Sequence, residues 1–412
     1  MFRRLVLQGW RQFGDVTLDF DSRLTVLTGQ NGTGKTTILR LLGRHLGWQM
    51  MYVATPRKTS GGTVYEPDVG DHISSIPGRD AAKVGQIDYE NGSSTDLLVE
   101  RHNNSAQYDI NIEYNPIPGI FVESHRALYQ YRRVGSIPTQ AFQANEVFST
   151  IRAEAMSRFR ESANYSSPSF RLKEALVSWA VFGYADGHAV AADLWARQAF
   201  EGFERVLQIM LPASLQFRRL KVEMPEVVLE TGTGRFSVDG ASGGISAIID
   251  LVWQIYVLAL VHNDQPFVLV IDEPENHLHP ALQRELMPKL LNAFPRAQVV
   301  VATHSPFIIS AERTARVYAL TFSAAGPVEA QLLDQLDRSG SANEILRSAL
   351  GVGVTMPVWA ETELAQIIDD FQQVRTVDIT VLAELRHRLR QGGLADYAAQ
   401  ALTDVLRARQ SE

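Results

Sequence analysis

Hydrophobic and polar positions alternate along the first part of the chain with the two-residue period of β-strands. RRLVLQGW and VTLDF show this alternation, and LTVLT, residues 24–28, is a short β-branched run ahead of a glycine-rich segment. The following TTILRLLGRHL carries its apolar residues at helical spacing. Between about residues 61 and 120, short alternating runs are separated by Gly, Asn, Ser and Pro, which predicts a small antiparallel sheet with long loops.

Helical spacing takes over near residue 139 and continues to about residue 215, and strands return between residues 217 and 238. A strong helix is expected over residues 243–260, followed by the buried strand FVLVID, a helix, and a second buried strand, AQVVVATHS. The chain beyond Ser341 is again helical. The predicted regions are 1–138 as a first lobe with an antiparallel β region, 139–215 as a helical insert or lid, 216–325 as a second lobe, and 326–412 as a helical extension.

Cysteine content and the length of the apolar segments indicate the cellular compartment and exclude cysteine-based sites. The 412 residues include no cysteine, which excludes disulfides and thiolate metal sites and fits a reducing cytoplasm. The N-terminus lacks the apolar core of a secretory signal. The longest apolar stretch, LVWQIYVLALV, is about half the roughly 18 residues of a membrane span and is expected to be a buried helix. We therefore expect a cytoplasmic protein that does not contact a membrane.

The formal net charge of −7 means that the chain as a whole repels phosphate. Any contact with nucleic acid would therefore need a local basic face. Two stretches are candidates, HRALYQYRR at 125–133 and FRRLK at 217–221, although a solvated charged surface is the more common origin of such stretches.

The first motif with chemistry is TGQNGTGKTT, which matches G-x-x-x-x-G-K-[ST] between a predicted strand and a predicted helix. Its glycines let the backbone turn N–H groups toward phosphate oxygens, and the helix adds its positive N-terminal end. Lys35 would reach the β- and γ-phosphates, and the Thr36 hydroxyl would ligate Mg²⁺. A chance glycine turn is disfavoured because strand and helix are both in place. The predicted nucleotide-binding residues of this loop are Gly29, Asn31, Gly32, Thr33, Gly34, Lys35, Thr36 and Thr37.

The second motif is VLVIDEPENHLHP, residues 268–280, in which an acid pair follows a buried strand. Asp272 is predicted to hold Mg²⁺, and Glu273 to polarise the attacking water as a general base. The alternative is an acid pair favoured only by the dipole of a helix N-terminus. His277 and His279 raise the separate question of a metal site built from carboxylates and imidazoles.

Two further segments extend the pattern. GASGGIS places Ser242, Gly243 and Gly244 at the start of a long apolar helix, where they would bind a γ-phosphate that arrives from another subunit. An ordinary helix N-cap is the alternative. VVVATHSP ends a buried strand with His304, whose neutral imidazole can donate to the γ-phosphate and hold the attacking water, although a strand-end histidine is often only structural. The predicted catalytic residues are Lys35, Glu273 and His304.

The order of these four segments resembles the ABC-type ATPase heads, and more narrowly their SMC/RecF/OLD branch. DEPENHLHP followed by ATHSPFIIS is similar to the OLD-like and PtuA-like AAA-family ATPases, which are often encoded in bacterial anti-phage systems. The similarity spans residues 1 to about 320. It implies an α/β P-loop NTPase fold with an antiparallel β lobe and a helical insert. It also implies ATP and Mg²⁺ as cofactors, and two subunits that close over ATP.

The resemblance also implies roles for neighbouring residues. The segment after the acid pair corresponds to the D-loop, which crosses the dimer interface, so Glu275 and Asn276 would couple the two sites and the histidines need not bind metal. FVESHRAL, residues 121–128, lies where such proteins carry a segment near the nucleotide, which gives Ser124 and Arg126 a possible sensing role. The usual Q-loop glutamine is not identifiable.

Departures from the family pattern refine the predicted function. The Ala-Ser-Gly-Gly-Ile signature disfavours a transporter subunit, and the helical insert is too short for a long SMC arm. VWAETE is similar to the glutamate motif of Toprim nucleases, but no Asp-x-Asp follows, so no nuclease is expected in this chain. The hypothesis is a homodimeric or higher-oligomeric ATPase that regulates or scaffolds a partner effector, such as a nuclease or toxin, in anti-phage defence. The alternatives are a RecF-like DNA-binding repair ATPase and an ATP-binding scaffold with negligible turnover.

Overall fold

The structure of the protein is a computed structural model. It describes residues 1–59, 62–70, 73, 80–101, 105–113, 115–124, 131–159, 168–263, 265–334, 342, 345, 358–372 and 379–398. The chain divides into two compact units, Met1–Ile345 and Leu346–Glu412. In the second unit, two helices pack through a small apolar cluster that includes Leu364, Phe371 and Leu389.

The strands and helices of the described residues are numbered here in chain order. The strands are β1 Phe2–Trp10, β2 Phe13–Asp19, β3 Leu24–Gly29, β4 Tyr52–Val53, β5 Thr55–Thr59, β6 Gly62–Glu66, β7 Ala81–Tyr89, β8 Ser94–Glu100, β9 Gln107–Tyr108, β10 Gly119–Val122, β11 Phe217–Glu223, β12 Glu226–Thr231, β13 Arg235–Ser237, β14 Phe267–Asp272, β15 Ala297–Ala302, β16 Arg316–Phe322 and β17 Val328–Leu332. The helices are α1 Lys35–Gly43, α2 Ala144–Phe159, α3 Pro168–Gly183, α4 Leu194–Met210, α5 Gly243–His262, α6 Pro280–Ala293, α7 Pro306–Ile309, α8 Val358–Gln372 and α9 Ile379–Gln391.

Among the described residues, a ten-stranded sheet forms the centre of the larger unit, in the order β10-β14-β15-β3-β16-β17-β2-β1-β7-β8. Strands β10, β14, β15, β3 and β16 are parallel, so their carboxyl ends meet at one edge. Every residue of β3, β14 and β15 is buried, as continuous apolar strands require. Ligands of open α/β sheets bind beyond the carboxyl ends of such strands, which places the candidate site at this edge.

The order of the parallel strands was not predicted from the sequence. Strand β15 lies between β3, which leads into the phosphate loop, and β14, which ends at the acid pair. Helix α1 packs across both β14 and β15 and so reaches over the intervening strand. Strand order cannot be derived from local periodicity, because the pairing partners are distant in sequence.

The antiparallel half of the sheet consists of β2, β1, β7 and β8. The segment from residue 61 to 120 was expected to form a small sheet of its own, and this was wrong for its two longest strands. Strand β7 pairs with β1, so β7 and β8 extend the main sheet and bury Ile87, Leu97 and Val99 in its core. The pairs β4–β9 and β5–β6 form separate two-stranded sheets.

Helices α2, α3 and α4 occupy the segment predicted to be helical, and β11, β12 and β13 then form a three-stranded sheet. Strand β17 pairs with β16, so the main sheet continues past residue 326, where the helical extension was expected to begin. The proposed division into four regions remains a prediction.

Helix α5 is the central helix in the packing of α3 and α4. Trp253 on α5 packs against Trp179 and Phe203, with ring centroids 5.4 and 5.1 Å away. In the part of the chain that the structure describes, α5 is the one helix long and apolar enough to cross a membrane, and 78% of its most apolar window is buried inside the fold. Its hydropathy therefore matches the buried helix expected from the sequence.

A buried glutamine fixes the first strand to the centre of the sheet. Gln298 on β15 is fully buried, and its Nε2 donates to the carbonyl oxygens of Phe2 at 2.8 Å and Asp21 at 3.0 Å. Its Oε1 accepts from the Phe2 N–H at 2.9 Å. These contacts satisfy three backbone groups at the start of the chain and hold β1 against β15, which ends two residues before His304.

We expect Gln298→Leu to lower the free energy of unfolding by about 2–4 kcal/mol, because three buried backbone groups lose their partners. Urea denaturation followed by circular dichroism measures the change. The matched control is Gln8→Leu at an exposed position of β1, which should stay within about 0.5 kcal/mol of the parent. Equal losses from both substitutions would contradict the anchoring role.

Candidate nucleotide site

The phosphate loop joins the end of β3 to the start of α1. Gly29, Gly32 and Gly34 have φ angles of +132°, +84° and +91°, in the region that favours glycine. A Cβ at Gly29 would overlap the Leu320 carbonyl oxygen, and one at Gly34 would overlap the Phe13 ring. The backbone therefore has the tight glycine turn that the motif predicts, with Gly34 at the N-cap of α1.

Lys35 occupies the inside of this loop. Only 7% of the residue is exposed, and its Nζ donates to the carbonyl oxygens of Gly29 and Gln30, both at 2.9 Å. Burial lowers the pKa of Lys35, while the charges of Asp272 and Glu273 partly oppose this shift. The ammonium group is thus held at the loop by backbone carbonyls and lies within the field of both acids.

Thr36 and Asp272 meet across the intervening strand. The Thr36 hydroxyl donates to Oδ2 of Asp272 at 2.9 Å, and Asp272 is 5% exposed. Burial raises the pKa of Asp272 to about 6, the Thr36 hydrogen bond opposes this, and the neighbouring Glu273 charge adds to it. A hydroxyl and a carboxylate oxygen are ligands that suit Mg²⁺, and a cation there would offset the cost of the buried charge.

Within the described ranges, no cluster of three or more His, Asp or Glu side chains could hold a metal ion. An ion at Thr36 and Asp272 would therefore take its remaining ligands from nucleotide phosphates and water. Mg²⁺ commonly binds in this way, through one or two protein ligands. The residues present fit that mode of binding.

Glu273 follows Asp272 in a left-handed backbone conformation, with φ of +46°. Such a conformation is costly for a side chain larger than glycine, and the surrounding hydrogen bonds hold it in place. The Glu273 N–H donates to the Ala302 carbonyl at 2.9 Å, and its Oε2 accepts from Nδ2 of Asn276, also at 2.9 Å. Asn276 Nδ2 also donates to the Ser124 carbonyl at 3.2 Å. Asn276 therefore orients the Glu273 carboxylate, a role that the sequence did not reveal.

Glu275 connects the acid-bearing loop to the end of β15. Its Oε1 accepts from the Thr303 hydroxyl at 2.6 Å and from the His304 N–H at 3.0 Å. Glu275 is buried, and burial raises its pKa. Both side chains make these bonds within their own subunit, and the expectation that Glu275 and Asn276 couple two sites stays a prediction.

His304 lies half-buried beside the phosphate loop. Burial lowers its pKa, the Lys35 charge lowers it further, and the Glu273 charge opposes both. The imidazole is therefore neutral near neutral pH, the form that the sequence interpretation requires. Lys35, Asp272, Glu273 and His304 thus lie close enough to influence one another's charge.

The Ser-Gly-Gly turn forms a separate face. Ser242 is the N-cap residue of α5 and is exposed, yet its side chain makes no cap hydrogen bond. A Cβ at Gly243 would meet nothing within 4 Å, and one at Gly244 would lie 3.3 Å from the His277 carbonyl oxygen. Among the residues that the structure describes, no hydrogen bond joins this turn to the phosphate loop. The turn instead borders the loop after the acid pair.

The two histidines of the second motif have distinct positions. His279 is the N-cap of α6, and its Nδ1 accepts from the Ala281 N–H at 3.3 Å. Pro280, at the first position of the helix, was the available sequence signal for this cap. His277 is exposed in a left-handed conformation with φ of +68°. These positions give no support to a metal site at the two histidines, which was already disfavoured from the sequence.

The remaining sequence candidates are only partly described. Arg126 and residues 125–130 of the first basic stretch lie outside the described residues. In the second stretch, Arg219 pairs with Glu230 at 2.6 Å and Lys221 pairs with Glu223 at 2.9 Å. Neighbouring acids therefore neutralise these two cations, which weakens the case for a phosphate-binding face on β11.

The two segments that build this site match known families. The family described as "AAA domain" matches residues 4–157, and that described as "AAA domain, putative AbiEii toxin, Type IV TA system" matches residues 230–310. The Septu protein PtuA of Bacillus thuringiensis is 20% identical over 387 residues, which cover 90% of both chains. The chain is therefore similar to AAA-family ATPases of the SMC/OLD-like kind. The resemblance to OLD-like and PtuA-like ATPases is confirmed, as is the α/β P-loop fold of the ABC type.

Two other proteins are similar to this chain over part or most of its length. The Retron Vc95 probable ATPase of Vibrio cholerae serotype O1 biovar El Tor is 32% identical over 90 residues, which cover 20% of this chain and 17% of that one. The SMC head domain from Thermotoga maritima is 13% identical with a TM-score of 0.42, covering 81% of this chain and 99% of that chain.

The buried carboxylate of Asp272 makes a prediction about stability. Its pKa of about 6 lies above the ordinary value of 3.8, so the folded state is penalised once the group ionises, by about 3 kcal/mol at neutral pH. Asp272→Asn should therefore raise the stability of the nucleotide-free protein near pH 7.5. This gain should shrink as the pH falls from about 6 toward 4, because Asp272 then becomes protonated and neutral.

Urea denaturation near pH 7.5 and near pH 4, without Mg²⁺ or nucleotide, measures the stability of Asp272→Asn relative to the parent. Asp369→Asn on exposed α8 is the control, with an expected change within about 0.5 kcal/mol at either pH. A loss of stability for Asp272→Asn at neutral pH, or a gain that does not depend on pH, would contradict the assignment.

Proposed function

We propose that the protein binds ATP with Mg²⁺ and hydrolyses it in a pocket shared by two copies of the chain. The observation that carries this proposal is the 2.9 Å hydrogen bond from Thr36 to Asp272, at the mouth of the loop that surrounds Lys35. It joins the two motifs at one point, with Glu273 and His304 beside them.

The phosphate loop holds the triphosphate in this proposal. Lys35 exchanges its two carbonyl partners for oxygens of the β- and γ-phosphates, and the positive end of α1 faces the same charge. Asn31, Gly32, Thr33, Gly34 and Thr37 supply the rest of the cradle, mainly through backbone N–H groups. Thr36 and Asp272 hold Mg²⁺, which when bound neutralises phosphate charge.

Glu273 acts as the general base. Its carboxylate accepts the hydrogen bond of Asn276, which limits its rotation and leaves its other oxygen free to accept from water. His304, neutral because of burial and the Lys35 charge, donates to the γ-phosphate and helps to hold the attacking water. Glu275 keeps His304 at the strand end through the backbone N–H.

The second copy closes the pocket with Ser242, Gly243 and Gly244. Two features support a role outside their own subunit. The Ser242 side chain is not used as a helix cap, and the turn is exposed at the N-terminus of the 20-residue α5. Each γ-phosphate would then join two subunits, and its loss would separate them, a switch between two populated states.

The proposed role of this switch is to regulate or scaffold a protein effector, such as a nuclease or toxin, in anti-phage defence. The support is the similarity to the OLD-like and PtuA-like ATPases and to the retron ATPase. The proposed setting is the cytoplasm, without membrane contact. This step rests on resemblance and is separate from the ATPase chemistry.

Glu273→Gln should reduce turnover by about 100-fold or more, because a neutral amide cannot accept the water proton, while ATP binding persists. The variant should accumulate as an ATP-bound dimer. Phosphate release measures turnover, and sedimentation velocity with ATP and Mg²⁺ measures the dimer. Glu285→Gln, an exposed acid on α6, is the matched control and should behave as the parent.

Lys35→Ala should differ from Glu273→Gln by losing ATP binding itself, measured with a fluorescent ATP analogue. Normal hydrolysis by Glu273→Gln would show that another group is the base. Loss of binding in both variants would mean that Glu273 belongs to the nucleotide cradle rather than to the chemical step.

The shared pocket makes a prediction for mixed dimers. A Lys35→Ala subunit cannot bind ATP, and a Ser242→Arg subunit cannot close its partner's pocket. Each homodimer should be inactive, yet a hybrid purified through two different tags retains one intact pocket and should show about half of the parental turnover. Inactive hybrids, with a parent whose turnover per chain does not fall on dilution, would overturn the shared-pocket proposal.

A further inference from the structure

A fully buried lysine lies in the helical segment, away from the phosphate loop. Lys173 on α3 has no exposed side-chain surface, although a buried ammonium group is unfavourable without partners. Its Nζ donates to Oε2 of Glu226 at 2.9 Å and forms a short ion pair with Oδ2 of Asp239. Burial alone would lower the pKa of Lys173, but the hydrogen bonds of Asp239 and Glu226 raise it, so the lysine is charged.

The two acids connect three elements. Glu226 begins β12, and its Oε1 accepts from the Tyr131 hydroxyl at 3.0 Å. Asp239 lies in the 3₁₀ turn Val238–Gly240, and its side chain is 4% exposed. Only Gly240 and Ala241 separate Asp239 from Ser242. The ion pair therefore joins α3 to the residues that lead directly into the Ser-Gly-Gly turn.

The short connection restricts how the turn can move. The Ala241 N–H donates to the Val238 carbonyl at 3.3 Å, and the Ala241 carbonyl accepts from the Ser246 hydroxyl at 3.2 Å. A shift of Asp239 would thus be passed to the start of α5 through a bonded segment of two residues. Within the described residues, Oδ1 of Asp239 is buried without a hydrogen-bond partner, so the carboxylate depends on its pair with Lys173 at Oδ2.

We propose that Lys173 is a positioning residue for the Ser242–Gly244 turn, which holds that turn in the orientation that a second copy's γ-phosphate requires. The inference deepens the proposed function and rests on its shared pocket. Helix α3 would thereby fix the orientation of the Ser242–Gly244 turn, although α3 does not form part of that turn. Lys173 touches neither nucleotide nor the acid pair in this role.

The geometry predicts an effect that depends on which subunit carries the change. In the hybrid of Lys35→Ala and Ser242→Arg subunits, the intact pocket uses the Ser242 turn of the Lys35→Ala subunit. Lys173→Met added to that subunit should lower kcat by about tenfold or more, since small misplacements of a catalytic group cost that much. Lys173→Met added to the Ser242→Arg subunit should leave turnover within about twofold of the parent hybrid.

Binding of the ATP analogue separates positioning from general damage. Lys173→Met should leave the affinity of its own subunit's phosphate loop for the ATP analogue within about twofold of the parent. ATP-dependent dimerisation should weaken. Lys173→Arg keeps the charge and should restore at least part of the asymmetric loss. The control Arg171→Met, also on α3, removes ion pairs to Glu154 of α2 and Glu174 of α3 and should have no directional effect.

Asp239→Asn provides a second route if Lys173→Met is poorly folded. It keeps the side-chain shape and the pair between Lys173 and Glu226, and it should show the same directional loss at smaller size. Equal losses in both hybrid arrangements, or none in either, would overturn the positioning role. A parent hybrid without turnover would instead refute the shared pocket, and the proposal with it, before any change at Lys173 is introduced.

Discussion

The hydrogen bond between Thr36 and Asp272 is the contact on which the site depends, because it joins residues 236 positions apart and crosses a strand that belongs to neither motif. It forms only if β3, β15 and β14 end at the same edge and α1 packs across them. Gln298 holds β1 against β15, and Glu275 holds the acid-bearing loop against the end of the same strand. Strand β15 is therefore the element against which both motifs are positioned.

The site concentrates groups that a stable core would avoid. Lys35, Asp272 and Glu275 are buried ionisable residues, and Glu273 has a left-handed backbone. The pKa of Asp272 rises and that of Lys35 falls, so each group is poorly compensated without a ligand. A triphosphate with a divalent cation would supply the missing charge of both signs. In the proposed function, the charges of the ligand would offset the same burial cost that lowers the stability of the nucleotide-free protein.

Local patterns in the sequence were sufficient for the parts of the site that are contiguous in the chain. The spacing of apolar residues and the placement of glycines predict three of these parts: the loop from Gly29 to Thr36, the buried strand that ends at Asp272, and the start of α5. The position of β15 and the joining of β7 to β1 depend on pairing between distant segments, which periodicity does not encode. The inward direction of Glu275 was hidden for the same reason, since its partners Thr303 and His304 are 28 and 29 residues away.

The loop from Glu273 to His279 links the two faces of the subunit. At its start Glu273 faces the phosphate loop, and at His277 its backbone carbonyl borders Gly244 of the Ser-Gly-Gly turn. Asn276, between them, bonds to the Glu273 carboxylate. In the proposed function, a displacement of the turn when a second copy docks would press on the same loop that orients the general base. Pocket closure and base alignment would then be coupled through one short segment, although the sequence places them in separate motifs.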